Sequence, residues 1–188
     1  MKEAREINWF DISRLLGGTP SQQSAARTLL SLGIFDHLEE YTPVLCGTVP
    51  IDCDLPGSDL DIVCHAPRLI PFEETVRMFF GEAPRFRCRR KKLLGIPSVV
   101  TRFPAGRWSI EIVGQDVPVL QQRAFAHMVA EALLLSGADP ETNEKIRALK
   151  REGMTTEEAF GKTFSLAGNP YNALMQIYAN EVLKEGKS

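Results

Sequence analysis

An α+β domain is the fold class this sequence predicts: a mixed β-sheet flanked by helices, followed by a C-terminal helical extension. Three observations carry that reading. A helical opening precedes a middle rich in strands, and four helical segments close the chain. The segment Arg107–Val113, RWSIEIV, alternates apolar and polar side chains at the period of a half-buried strand. Strong helix-start chemistry recurs, above all at Thr19-Pro20-Ser21-Gln22 and Thr155-Thr156-Glu157-Glu158.

The first element, Asp11–Leu16, reads as a short helical piece stopped by Gly17-Gly18. Thr19 is the N-cap of a helix that runs to Leu32, with Pro20 in its first turn, Gln22 closing a capping box and Gly33 ending it. Val44–Val49 is a buried strand and Pro50–Ser58 a loop of turn formers. Leu60–Cys64 is the next strand, and Pro71–Phe80 fits an amphipathic helix. Three strands come next at Pro84–Arg90, Ser98–Phe103 and Arg107–Val113, the last two joined by a Pro104-Ala105-Gly106 turn. Helices are then expected over Gln121–Leu135, from Asp139-Pro140 to before Gly153, from Thr155, and from Asn169-Pro170 to about Lys184. Residues 1–120 form a core with N-terminal helices. Residues 121–188 form a helical region packed on it, within one unit.

At 188 residues, 44% hydrophobic and 24% charged, the chain builds a core without metal or disulfide staples. A net charge of −2 gives no bulk argument for nucleic acid or membranes. No apolar run reaches spanning length and MKEAREINWFD lacks a signal-peptide centre, so the cytoplasm is the expected location and no membrane partner is expected. Cys46, Cys53, Cys64 and Cys88 form no CxxC pair and read as free thiols. His37, His65 and His127 are scattered and read as surface or satisfied core residues.

The chemistry concentrates in Cys46–His65, CGTVPIDCDLPGSDLDIVCH. Positions i and i+2 of a strand share a face, so Asp59 and Asp61 point together while Leu60 and Ile62 point to the core. Carboxylates about 6–7 Å apart repel by roughly 2–3 kcal/mol at an effective dielectric near 20, and a divalent cation removes that penalty. In RWSIEIV, Trp108, Ile110 and Ile112 face one side, while Ser109, Glu111 and Val113 face the other. An acid in so apolar a strand needs a cleft or a cation. If the two strands are neighbours, Asp59, Asp61 and Glu111 converge. Oxygen donors on an open sheet face suit Mg²⁺ or Mn²⁺, and Glu111 is placed to accept a proton from an attacking hydroxyl. Gly47 lets backbone approach a triphosphate, with Thr48 and Ser58 adding donors.

Gly47-Thr48, ten intervening residues, Asp59-Leu60-Asp61-Ile62 and then Ile110-Glu111-Ile112 resemble the nucleotidyltransferase superfamily typified by DNA polymerase β. The resemblance implies a nucleotidyltransferase-like mixed sheet. It implies Asp59, Asp61 and Glu111 as metal-binding and catalytic acids, and Gly47 and Thr48 as the phosphate loop. Thr48 departs from the usual Ser or Gly; it keeps the hydroxyl but crowds the turn. Gly57-Ser58-Asp59-Leu60-Asp61, Gly114-Gln115 and the Gln122–Met128 helix are also similar to a family of small bacterial proteins with no assigned activity. The activity that the superfamily resemblance implies is metal-dependent transfer of a nucleoside monophosphate from an NTP to a hydroxyl. The acceptor hydroxyl could belong to a small molecule, a protein or an RNA end.

A solvated PGSDLD turn with Ser58 and Asp59 capping backbone amides would explain the paired acids alone; Gly47-Thr48 and Glu111 argue beyond it. Two further readings stand beside the enzyme. One is the same fold without turnover, holding a nucleotide or a protein partner as in a toxin–antitoxin pair. The other is an RNA-binding protein using RFRCRRKK, Arg85–Lys92. That run reads mainly as a solvated edge strand, with Phe86 and Cys88 inward and Arg85, Arg87 and Arg89 outward. Arg102, one strand on, is a candidate phosphate contact. Gln121, Gln122 and Arg123 face either the cleft or water. His127 is expected in the helix core, and Tyr171, Leu174, Ile177 and Tyr178 pack at helical spacing.

Overall fold

The computed structural model describes residues 6–183, with a five-stranded sheet in the order β1-β2-β5-β4-β3. In chain order the strands are β1 (Val44–Cys46), β2 (Leu60–His65), β3 (Arg87–Leu93), β4 (Ile96–Ala105) and β5 (Trp108–Gln115). β2 and β5 run parallel; the other neighbours are antiparallel, so the sheet is mixed. Parallel neighbours need a long crossover. Here it contains a helix and the β3–β4 hairpin.

The helices are α1 (Pro20–Ser31), α2 (Ile34–His37), α3 (Leu69–Phe80), α4 (Arg123–Leu135), α5 (Thr142–Arg151), α6 (Thr156–Thr163) and α7 (Pro170–Tyr178). The expected capping boxes form. Thr19 and Gln22 satisfy each other's backbone amides at the start of α1, and Thr155 and Glu158 do so at α6. Asn169 caps α7.

Side-chain alternation in β2 and β5 divides the core. Leu60, Ile62, Ile110 and Ile112 are fully buried on one face, against Ala25 and Leu29 of α1 and Phe72 and Val76 of α3. On the other face Val44, Cys46 and Val63 join Phe125, Val129, Phe160, Leu174 and Tyr178. Burying a large apolar side chain contributes about 1.5–3 kcal/mol, so the two clusters lock the sheet between helical layers.

Several boundaries differ from the sequence reading, each for a local reason. β1 stops at Cys46 instead of Val49 because Gly47 turns the chain at φ +81°. β3 begins at Arg87, since Arg85 sits in a turn at φ 54°. Leu94 and Gly95, both at positive φ, close the β3–β4 hairpin, matching a two-residue turn of the type that fits strand twist. The Asp11–Leu16 piece is a 3₁₀ turn, Ile12–Gly17, and Val119–Gln121 is another before α4. α3 begins two residues early at Leu69, and α5 begins at Thr142. Beyond α7 the chain continues as a π turn, Ala179–Leu183; the expected end at Lys184 lies outside the described residues.

Among the described residues no helix is long and apolar enough to cross a membrane. The cysteines are free thiols; Cys46, Cys53 and Cys64 are buried and Cys88 half-buried.

Candidate active site

The register of three strands builds the floor of the site. Asp61 of β2 is the Cα partner of Glu111 in parallel β5 and of Cys46 in β1. Partners across a ladder share a face, and Asp59 lies two residues before Asp61. The strand juxtaposition on which convergence of the acids depended is therefore present. Gly47 comes directly after β1. A Cβ at Gly47 would lie 3.0 Å from Asp61 Oδ2, so the glycine both makes the left-handed turn and leaves room for the carboxylate.

A cleft of about 770 Å³ lies over this floor. Gly47, Thr48, Ser58, Asp59, Asp61 and Glu111 all line it. Its wall comes from α4, whose Arg123, His127 and Glu131 line the cleft at i, i+4 and i+8, one face of a helix. Lys150 of α5 and Thr156 and Glu157 of α6 complete the wall. The volume falls in the range of small-molecule sites.

The electrostatics are unbalanced. No hydrogen-bond donor among the described residues reaches the Asp61 carboxylate. Burial first, then repulsion from Glu111 and Asp59, pushes its pKa from 3.8 up to about 6, against the attraction of Arg102. Arg102 is the Cα partner of Glu111, and its Nε donates to Glu111 Oε2 in an ion pair. Arg102 is thus not among the residues lining the cleft, and its partner is a carboxylate where a phosphate contact was expected. Among the described residues no three His, Cys, Asp or Glu side chains are gathered closely enough to hold a metal ion. The convergence of Asp59, Asp61 and Glu111 expected from sequence therefore stops at a shared face, with Glu111 paired to Arg102. Asp59 and Asp61 retain the oxygen chemistry that suits Mg²⁺ or Mn²⁺.

Ser58 Oγ accepts the Leu55 amide at 3.0 Å, so the hydroxyl closes its own turn as well as facing the cleft. The His127 ring bonds Glu157 Oε1 at 3.0 Å through Nδ1 and the Tyr171 carbonyl at 3.1 Å through Nε2, the satisfied histidine expected from sequence. Gln122 is buried and donates to the Cys64 and Val117 carbonyls, tying α4 to β2. It is a brace, whereas a solvated first turn was one of the two expectations. Glu131, Lys150 and Glu157 were not anticipated. Glu131 lies one helical turn beyond His127 inside an apolar stretch, and that position was the available signal.

The basic run occupies the edge strand β3 with its Arg and Lys side chains exposed. Phe86 and Cys88 pack toward the core, and Arg90 bonds Glu73 of α3 at 2.5 Å. Arg87 pairs across the ladder with Arg102, so it shares the face that carries the acids.

Comparison with solved structures places this architecture. The chain is similar to GLD-2 in the GLD-2/RNP-8 complex, with a TM-score of 0.52 and 9% identity over 82% of this chain and 62% of that one. It is also similar to the polymerase core of TRAMP, an RNA surveillance complex (TM-score 0.47, 12% identity, 88% of this chain and 51% of that one). A third is Cid1, an RNA terminal uridylyl transferase (TM-score 0.45, 14% identity, 69% and 39%). The fold is the one it shares with GLD-2. The chain spans between 39% and 62% of the length of these structures. Residues 27–177 match the domain of unknown function DUF4269, and the chain belongs to that family. No curated protein matches it.

Proposed function

We propose that this protein is a Mg²⁺- or Mn²⁺-dependent nucleotidyltransferase that moves a nucleoside monophosphate from an NTP to a hydroxyl acceptor. One observation carries the reading: the β2–β5 register sets Glu111 beside Asp61 on the open face, next to the Gly47 turn. The ionised Asp61 is destabilised by burial and by its acidic neighbours, so this site gains from a cation.

Asp59 and Asp61 would hold the divalent ion, which would offset triphosphate charge and stabilise the attacking and leaving oxygens. Backbone amides of the Gly47-Thr48 turn and the Thr48 hydroxyl orient the phosphates. Glu111 accepts the proton of the acceptor hydroxyl and serves as third metal ligand once Arg102 releases it. The Arg102 side chain is 55% exposed and that of Glu111 16%, so the guanidinium is free to swing into solvent while a bound cation would replace it as the counter-charge of Glu111. The freed guanidinium then reaches phosphate, the role its sequence position suggested.

The same ion pair favours a second reading, a nucleotide-binding module without turnover, because it occupies the acid that would act as base. A protein partner belongs with that reading. Thermal shift across the four NTPs, with and without MgCl₂, followed by pyrophosphate release, separates the two. The enzyme reading predicts Mg²⁺-dependent stabilisation by at least one NTP, lost in Asp59→Ala. Stabilisation with no pyrophosphate released for any hydroxyl acceptor supports the silent module. No Mg²⁺-dependent nucleotide binding at all defeats both.

A further inference from the structure

Glu131 stands out in the cleft wall. It is 3% exposed, it lines the cleft, and among the described residues no hydrogen bond or ion pair ends on its carboxylate. Ionisable side chains are seldom buried unpaired, because the desolvation of a lone carboxylate costs several kcal/mol. The charged groups facing it are Glu157 of α6 and Lys150 of α5. Neither satisfies it. Glu157 takes the His127 hydrogen bond, and Lys150 donates its ammonium to the Cys53 carbonyl at 2.7 Å. Burial first, then Glu157, pushes the Glu131 pKa well above the usual carboxylate range, and Lys150 offsets only part of this.

We infer that Glu131, with Glu157 beside it, forms a subsite for a cationic amine on the acceptor, so that the acceptor class is a small hydroxyl-bearing amine. The inference deepens the nucleotidyltransferase reading and rests on it for the word acceptor. An ammonium group adds to the partial counter-charge that Lys150 gives Glu131 and offers three donors to the two carboxylates. Val63 and Val113 on the floor and Met128 on the wall offer apolar surface for the carbon frame of such a molecule.

The test compares ethanolamine, serinol and glucosamine, each beside its N-acetyl derivative, by calorimetry on the full chain and on Glu131→Gln. Mg²⁺-dependent NTP binding is measured on the same samples. The expected result is that amines bind and their N-acetyl forms do not. Glu131→Gln is expected to weaken amine binding at least tenfold while leaving NTP affinity unchanged, which also shows that the variant is folded. Glu131→Asp keeps the charge and should retain the preference for amines. Equal binding of amines and N-acetyl forms, or none of either, overturns the subsite. So does unchanged amine binding by Glu131→Gln, which leaves Glu131 a remote counter-ion of Lys150. An altered NTP affinity in Glu131→Gln also overturns it, by placing the carboxylate against the donor nucleotide. NTP binding without amine preference removes the subsite and leaves the transferase reading standing. Amine preference without NTP binding does the reverse.

Discussion

Replacing Asp61 by Asn tests whether the carboxylates on the sheet face are held in electrostatic conflict. The Asp61 pKa rises from 3.8 to about 6 on folding, through burial, then Glu111 and Asp59. At about 1.36 kcal/mol per pH unit, the rise corresponds to roughly 3 kcal/mol. The sign comes from proton counting. Between about pH 4 and 6 the native state binds the proton and the unfolded chain does not, so stability falls as pH rises through that window. Above it the full destabilisation is present. The isosteric carboxamide carries no charge, so Asp61→Asn should be roughly 3 kcal/mol more stable than wild type at pH 8 in EDTA. At about 2–4 °C per kcal/mol for a chain of this size, its Tm should be higher by roughly 6–12 °C. The advantage should shrink toward zero by pH 4. Millimolar MgCl₂ should raise wild type at pH 8 and leave the variant unmoved, since a ligand at a hundred times its Kd stabilises by about 2.7 kcal/mol. Urea unfolding at pH 4, 6 and 8 reads all three effects. A variant no more stable than wild type at pH 8, or an advantage independent of pH, refutes the reasoning.

Gly47→Ala should destabilise by about 1–3 kcal/mol in chemical unfolding, because alanine is strained at φ +81°. Its Cβ would also sit 3.0 Å from Asp61 Oδ2, so Mg²⁺-dependent NTP binding should weaken more than global stability does. Arg102→Ala should destabilise by about 1–3 kcal/mol in chemical unfolding, since Glu111, whose side chain is only 16% exposed, is left without its partner beside Asp61. Calorimetry should find tighter Mg²⁺ binding in Arg102→Ala, because Glu111 is then free to join Asp59 and Asp61; unchanged affinity would remove Glu111 from the metal site.

Sequence alone determined what depends on short-range geometry. The capping boxes at Thr19–Gln22 and Thr155–Glu158 are local exchanges of hydrogen bonds across three residues, so their chemistry is written in adjacent positions. The strand period of two assigned Leu60, Ile62, Ile110 and Ile112 to the core and Asp59, Asp61 and Glu111 to the opposite side, whichever strands became neighbours. Tertiary structure decided the pairings. Arg102 meets Glu111 only because the β4–β5 ladder sets them in register, and one residue of slip would send the guanidinium to the other face. His127 and Glu157 are 30 residues apart and meet because α7 packs against both α4 and α6. Glu131 looked like one polar residue in an apolar helix. It became a buried carboxylate without a partner only once helices from distant parts of the chain closed around it, because desolvation is set by everything packed nearby and not by sequence neighbours.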